Sequence, residues 1–422
     1  MNVEIVNTGS ELMLGRVLNT HQQWLCRRLA DLGHVVTRQV AVADTGADIQ
    51  TAVREALARA ELVIATGGLG PTSDDITREL IAQLLGRKLV PNAEVRAQIE
   101  AFFAQRGRPR PAMTDVETMV PEGAVVLPNR TGTAPGLAMQ IGPDAAARSA
   151  GAPGAKQWLI MLPGPPRELR PMFDELVVPL LQREFAEEVF VCRTLRSTGI
   201  GESRVQELIE ADMRPFVKVG LEVGYCARPG AVDVRLTAAG ASAPQLVQSA
   251  VAAVQKVLGP AVYGYDDDEL ESVVVRLLTA QKKSLALAES CTGGMLGHRL
   301  TNVPGASAVF FGGVISYADA AKEQLLGVRA ETLRQYGAVS EPVAREMAAG
   351  AREKFGSDFA LAVTGIAGPD GGTPEKPVGT VFVALAAADG VTVEKRLNPW
   401  DRLTFKDVVV TQALELLRRR LV

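Results

Sequence analysis

Within its first 68 residues the chain alternates short β-rich runs with helical stretches: VEIV from Val3, HQQWLCRRLADLG from His21, HVVTRQVAV from His34, IQTAVREALARA from Ile49 and ELVIATGG from Glu61. Parallel strands need crossovers and are buried on both faces, so this rhythm predicts a parallel sheet covered by helices, continuing to about Pro166. In such a sheet a ligand sits beyond the C-terminal ends of the strands. The stretch GPDAAARSAGAPGAK, residues 142–156, has little periodicity and reads as a surface loop before the strand QWLIML.

At 422 residues the chain exceeds what one hydrophobic core organises, which favours two or three domains. After the helix-like PRELRPMFDELVVPLLQREF the pattern becomes strand (VFVCRTLRS), helix (ESRVQELIEAD), two strands (LEVGYCA, AVDVRLTA) and helix (QLVQSAVAAVQKVLG). This is a small α+β unit of KH-like layout, and without a GXXG loop between helices it reads as a spacer rather than an RNA binder. From Asp267 an acidic helix start opens a third, layered α/β unit that closes on a helix running to Val422. The expected domains are residues 1–170, 171–262 and 263–422.

Hydrophobic residues make up 47% and charged residues 22%, which excludes a disordered or fibrous chain. The 45 basic and 48 acidic residues give a net charge of −3, which offers no global attraction for nucleic acid or an anionic membrane. The N-terminal MNVEIVNTGSEL carries no secretory signal, and no apolar run has the length of a membrane span, so the expectation is a cytoplasmic protein without membrane contact. Cys26, Cys192, Cys226 and Cys291 never form a CxxC pair, which argues against a zinc ribbon or disulfide framework. His21, His34 and His298 are too scattered for a histidine-built metal site; an all-oxygen site stays open.

Two regions carry candidate chemistry. In the third unit, LALAESCTGG is a buried-strand pattern that stops on Glu289 and Ser290 and leads into the glycine pair Gly293 and Gly294. A serine so placed can act as nucleophile and face backbone N–H groups of Cys291 to Gly294; the alternative is that Ser290 or Thr292 only caps the helix. For a base, His298 lies too far along the helix, whereas Lys322 in YADAAKEQLLG follows a strand whose crossover can bring it beside Ser290; the alternative is a solvated helix lysine. Cys291 is a rival nucleophile, set against the commoner role of a small buried residue. The loop TGIAGPDGG from Thr364 carries four glycines that can form an anion nest or simply a tight connection.

In the first unit, TGGLGPTSDDITREL places Gly67, Gly68 and Gly70 for close backbone approach, with Pro71 following and Thr72 and Asp75 at capping-box spacing. Asp74 and Asp75 would repel a bare phosphate, so a diphosphate held there needs a divalent cation; the alternative is that both complement the helix dipole. Thr8 to Glu11, including Gly9, together with Asp44 and the loop Pro163 to Arg167 reach the same sheet edge, as a nucleotide cleft requires.

Taken in order, AESCTGG, GGVISYADAAKEQLLGV, GAVSEPVAREMA and TGIAGPDGGTPEKPVGTV closely resemble the CinA family across the third unit. NTGSELMLGRVLNT, TGGLGPTSDD, PNRTGTAPG and LPGPPRE resemble the molybdopterin-binding-like domain at the front of the same proteins. For the third unit the resemblance implies hydrolysis of nicotinamide mononucleotide to nicotinic acid mononucleotide and ammonia by a serine–lysine pair, without a metal. It maps the serine to Ser290, the lysine to Lys322, an aromatic neighbour to Tyr317 and the substrate loop to Thr364, Gly365, Ile366, Ala367 and Gly368, with Glu289, Cys291, Thr292 and Gly293 around the nucleophile. For the first unit it implies hydrolysis of ADP-ribose at its pyrophosphate, with a divalent cation (magnesium or a similar transition metal) at Asp44, Asp74 and Asp75, and with potassium. It also suggests a homodimer. One departure stands out: where the family has GDR and a second arginine four residues on, this chain reads WDRLTFK, with Trp400, Arg402 and Lys406. Lysine keeps the charge but loses the bidentate fork of arginine. The competing functional reading is a competence- or repair-associated protein that binds a nucleotide or pterin without catalysis.

Overall fold

The computed structural model describes residues 1–142, 156–185 and 189–422, and divides into two compact units, residues 1–191 with 239–241 and residues 192–238 with 242–422. Apart from Gly142 and Lys156, the expected surface loop GPDAAARSAGAPGAK lies outside the described residues.

The first unit holds strands β1 (Asn2–Thr8), β2 (Val35–Val42), β3 (Leu62–Thr66), β4 (Leu89–Pro91), β5 (Met119–Pro121), β6 (Val125–Leu127), β7 (Gly136–Ile141) and β8 (Gln157–Leu162). Six of them form one sheet in the order β2-β1-β3-β8-β7-β6, while β4 and β5 pair separately. β2, β1, β3 and β8 are parallel, but β7 and β6 run antiparallel, which corrects the expectation of a purely parallel sheet. The connection from Leu127 to Gly136 is too short for a helical crossover, so its strands must pair antiparallel.

Helices α1 (Ser10–Met13), α2 (Thr20–Asp31), α3 (Gly46–Leu57), α4 (Thr77–Leu84), α5 (Ala93–Gln105), α6 (Pro166–Met172) and α7 (Val178–Glu184) complete the unit. Alternation along β3 sorts its side chains onto two cores. Leu62 and Ile64 pack with Leu25 and Leu29 of α2 and with Leu169, Phe173 and Leu180, whereas Val63 and Ala65 pack with Ile49 and Val53 of α3 and Ile81 of α4. The helical run Pro166–Glu184 therefore belongs to this core, and a domain boundary after residue 170 falls inside it.

In the second unit, β9 (Phe190–Thr198), β10 (Glu222–Arg228), β11 (Ala231–Ala239) and β12 (Val262–Tyr265) form a sheet in the order β10-β11-β9-β12, accompanied by α8 (Glu202–Val217) and α9 (Ala243–Leu258) in the expected α+β layout. A second sheet has the order β14-β13-β15-β16-β17, made of β13 (Leu285–Glu289), β14 (Phe310–Ile315), β15 (Phe359–Gly365), β16 (Thr380–Ala387) and β17 (Gly390–Leu397). Around it lie α10 (Leu270–Gln281), α11 (Met295–Thr301), α12 (Asp319–Leu326), α13 (Ala330–Tyr336), α14 (Glu341–Phe355) and α15 (Arg402–Leu421). One face of β13 and β15 carries Leu285, Leu287, Leu361 and Val363 against Leu278 of α10 and Leu414 of α15. The other carries Ala286, Ala288, Ala360 and Ala362 against Val343 and Met347 of α14, and those small side chains let α14 lie close to the sheet. No helix among the described residues is long and apolar enough to cross a membrane.

Candidate functional sites

β13 lies between β14 and β15, parallel to both, with Glu289 opposite Ile315 and Val363. The loops after these three strands therefore leave the sheet side by side. The amide of Ser290 donates to Val363 O at 3.0 Å and that of Ser316 to Glu289 O at 2.8 Å, so Ser290 emerges between the ends of β14 and β15. It is 8% exposed.

Glu289, expected among the substrate contacts, is consumed by the chain itself. Its carboxylate accepts from Thr292 Oγ1 at 2.6 Å, Gly294 N at 2.9 Å, Leu296 N at 3.1 Å and Gly297 N at 2.8 Å. A buried carboxylate with four donors offsets the positive end of α11 and locks the Ser290 loop in one shape. Thr292 is fully buried on it. Cys291 sits in the core with Leu287 and Leu296, and burial pushes its thiol up to about 12, which removes it as a nucleophile near neutral pH. The side chains of Glu289, Cys291 and Thr292 thus support the nucleophile loop rather than face a ligand. Of the four amides expected to be free, those of Gly293 and Gly294 are also taken, by Ser290 O and Glu289.

Lys322 lies on α12 and is 1% exposed, which overturns the reading of a solvated helix lysine. Its Nζ donates to Tyr317 O at 3.2 Å and Asp319 Oδ1 at 3.3 Å. Tyr317 is exposed, and its hydroxyl accepts from Arg402 Nη2 at 2.8 Å, while Arg402 Nη1 reaches Gly368 O at 2.8 Å. Arg402 is therefore a strut between the loops after β14 and β15. One turn along α15, Lys406 forms no ion pair among the described residues, and a methyl group added to Gly293 would lie 4.0 Å from its Nζ. This places an unpaired ammonium over the nucleophile loop.

The loop Thr364–Gly368 is braced more than an open nest would be. Thr364 Oγ1 donates to Ala338 O at 2.8 Å, the amide of Ile366 to Thr380 O at 2.8 Å, and Ala367 is buried in the core. Gly365 is held close to β16, where an added Cβ would meet Thr380 O at 2.9 Å.

In the first unit Thr8, Gly9, Glu11, Asp44, Gly67, Gly68, Gly70, Pro71, Asp74 and Asp75 line one cavity of about 660 Å³, joined by Thr131 to Ala134 and Pro163 to Glu168. Gly67 and Gly68 have φ of +95° and +65°. A Cβ would lie 2.5 Å from Thr8 O at the first and 2.1 Å from Thr77 Oγ1 at the second, so only glycine fits this turn. Thr72 does not line the cavity; its hydroxyl and amide bond Asp75 Oδ2 at 2.5 and 3.0 Å. The capping-box reading is corrected, because α4 starts only at Thr77 and the acidic residue of its first turn is Glu79. The short spacing of Thr72 and Asp75 closes a turn ahead of the helix, so Asp74 and Asp75 stand in the loop and not on the dipole.

Six carboxylates line the cavity, those of Glu11, Asp44, Asp74, Asp75, Glu117 and Glu168, against the guanidinium of Arg167. His21 lines it too, and burial together with the charge of Arg170 pushes it below its ordinary value, so it is neutral at physiological pH. The Thr72 hydroxyl holds the Asp74 carboxyl below its usual range, which keeps it ionised. Asp44 Oδ2 accepts from Ser10 N at 2.8 Å. Hard carboxylate oxygens of this kind fit a divalent cation. No group of three or more metal-binding side chains is present among the described residues.

Sequence reasoning missed three residues here. Asn129 is buried and shapes the loop, donating to Ala134 O and Glu168 Oε2, both at 2.8 Å, and accepting from the amides of Thr131 at 3.0 Å and Gly132 at 2.8 Å. Glu168 and Glu117 complete the wall. The motif PNRTGTAPG pointed to Asn129, but nothing local in DVETM marks Glu117 as buried.

Fold and sites together define a multidomain α/β protein in which a molybdopterin-binding-like domain and a KH-like segment precede a separate serine-bearing domain. Family models match in that order: a probable molybdopterin binding domain over residues 4–183, the damage-inducible protein CinA KH domain over 192–264 and the CinA C-terminal domain over 267–421. A CinA-like protein of Akkermansia muciniphila is 45% identical over 416 residues, 98% of this chain and 96% of that one. A putative competence-damage inducible protein of Thermoanaerobacter pseudethanolicus is 40% identical over 428 residues, 100% of this chain and 98% of that one. Among solved structures, the competence/damage inducible protein CihA of Agrobacterium tumefaciens is 40% identical, with 36% of this chain and 94% of that chain covered and a TM-score of 0.34. The chain belongs to the CinA family.

Proposed function

We propose that this chain is a two-site hydrolase of pyridine-nucleotide metabolites, cytoplasmic and homodimeric, whose Ser290 site hydrolyses the amide of nicotinamide mononucleotide. The observation that carries this reading is the burial of Lys322, with Nζ on the carbonyl of Tyr317 at the end of the strand beside Ser290. Lysine is rarely so buried, and here its ammonium is held by one carbonyl and one carboxylate. In this reading Ser290 Oγ attacks the amide carbon, Lys322 receives the serine proton and delivers it to departing ammonia, and water then releases nicotinic acid mononucleotide from the serine ester. No hydrogen bond joins Lys322 Nζ to Ser290 Oγ among the described residues, so the transfer runs through water or after Lys322 turns from Asp319. The unpaired Lys406 is suited to the substrate phosphate as a point charge. This chemistry uses no metal.

The cavity of the first unit is assigned to ADP-ribose. The Gly67–Gly70 turn would cradle the diphosphate, and Asp74 and Asp75, with Asp44, would hold a divalent cation that neutralises it and activates water; potassium is the expected monovalent companion. Six carboxylates around one guanidinium support the cation requirement, since a bare diphosphate would be repelled.

The test is ammonia release from nicotinamide mononucleotide by full-length wild type, Ser290→Ala and Lys322→Met, each checked for fold by circular dichroism. Release by wild type and loss of at least about 1,000-fold in both variants is expected if the pair acts as one unit. Equal release by the folded Ser290→Ala protein would end the assignment.

A further inference from the structure

Glu117 is the most deeply buried carboxylate at the N-terminal cavity. It lies on the 3-10 turn Ala112–Thr118, is 0% exposed, and lines the cavity together with Phe102 and Phe103 of the adjacent α5. Its Oε1 accepts from Thr133 Oγ1 at 2.9 Å, while Oε2 is buried and has no hydrogen-bond partner among the described residues. The charged groups around it are Arg78, Asp75 and Glu168, and among the described residues neither Arg78 nor any other guanidinium bonds it. A buried acceptor left unpaired is costly, so its partner is to be sought in what the cavity binds. A carboxyl oxygen there accepts when ionised and can donate when protonated, so its partner must answer both states. A phosphate oxygen only accepts. A sugar hydroxyl does both.

The surroundings say which part of a nucleotide lies here. The glycine turn Gly67–Gly70 suits the diphosphate, and Phe102 and Phe103, set edge to face with centroids 5.6 Å apart, put aromatic surface in the same lining, one face of Phe102 being covered by the Arg106 guanidinium. Glu117 belongs to the same cavity as both. Resting on the reading of this cavity as a nucleoside-diphosphate site, we propose that Glu117 is its specificity-determining residue: the free Oε2 accepts a hydrogen bond from a hydroxyl of the ribose that joins base to diphosphate. The site then selects ribonucleotides over deoxyribonucleotides. A pocket built around a substrate hydroxyl rejects the analogue lacking it, because the buried acceptor is again left unpaired.

The experiment is calorimetric titration of the full chain with ADP-ribose, ADP, 2′-deoxyADP and 3′-deoxyADP in the presence of magnesium. Wild type is expected to bind ADP at least about tenfold more tightly than one of the two deoxy analogues, the order of effect of one buried hydrogen bond. Glu117→Met, which keeps length but loses the acceptor, should bring the ratio within about threefold; Glu117→Gln, which keeps an acceptor, should retain most of it. Equal binding of all three nucleotides by wild type overturns the proposal whether or not the methionine variant folds, and so does an unchanged ratio in a folded Glu117→Met. Failure of wild type to bind ADP-ribose and ADP at all overturns the nucleotide reading of the cavity, and this proposal with it.

Discussion

The Ser290 site and the N-terminal cavity both sit where parallel strands end, yet they handle charge in opposite ways. At Ser290 the acid of the loop, Glu289, is satisfied by four donors and Lys322 is paired with Asp319, which leaves the ammonium of Lys406 near the loop. At the cavity, six acidic side chains stand against the guanidinium of Arg167, with the charges of Arg170 and Arg78 acting on His21 and Glu117. On the proposed reading, an anionic ligand would enter the first site unaided, whereas the second would need a cation to admit one. Strand topology alone would have made the two look alike; side-chain charge separates them.

That contrast can be broken from the side of the metal. Replacing Asp74 and Asp75 together by alanine should cost the ADP-ribose cleavage at least about 100-fold while ammonia release stays within about twofold of wild type, as expected for loss of ligands to a catalytic cation. Parallel assays of both activities check this, and a double variant that cleaves ADP-ribose normally would mean the cation, if any, is held elsewhere.

A smaller effect is expected at Glu289. Glu289→Gln keeps the shape but turns two acceptor oxygens into one and sets an NH₂ against backbone donors, so the Ser290 loop should loosen. Stability should fall by about 2 kcal/mol, and kcat for the amide should fall about tenfold with KM nearly unchanged. An unaltered melting temperature and kcat would show that the loop holds its shape without this carboxylate.

The smallest effect concerns Glu117 and pH. Its folded value of about 7 lies above the ordinary 4.5, so the folded chain holds a proton that the unfolded chain releases. Its contribution to stability is full below about pH 4.5 and is lost as pH rises through about 7. After allowance for solvent in the cavity this amounts to roughly 2 kcal/mol. The difference in unfolding free energy between wild type and Glu117→Gln, measured in urea at pH 5 and pH 8, should move by that order in favour of wild type at the lower pH. A difference independent of pH would place the Glu117 value near that of an ordinary carboxylate.

Much of this architecture was legible in the chain because it rests on periodicity. The runs VEIV, ELVIATGG, LALAES and FALAVTG all form parallel strands, and each ends in a loop that carries a candidate site. The antiparallel strands β6 and β7 were not legible, since they are short and their direction follows from the length of a connection and not from a pattern. At the sites, the sequence located the loops but not the direction of the side chains. Glu289, Cys291 and Thr292 adjoin Ser290 in the chain yet turn inward, and Thr364 spends its hydroxyl on Ala338. Glu117 shows the converse: a carboxylate in an unremarkable stretch becomes part of a cavity wall only through tertiary packing of the turn Ala112–Thr118.

The most direct test of the account is one titration of chelator against the wild-type chain, with ammonia release from nicotinamide mononucleotide and phosphate-bond cleavage of ADP-ribose followed in the same samples. The account predicts that ammonia release is indifferent to chelator while ADP-ribose cleavage disappears and returns on adding divalent cation. Joint loss of both activities, or joint survival, would contradict the division of the molecule into a cationic serine site and an acidic, cation-requiring cavity.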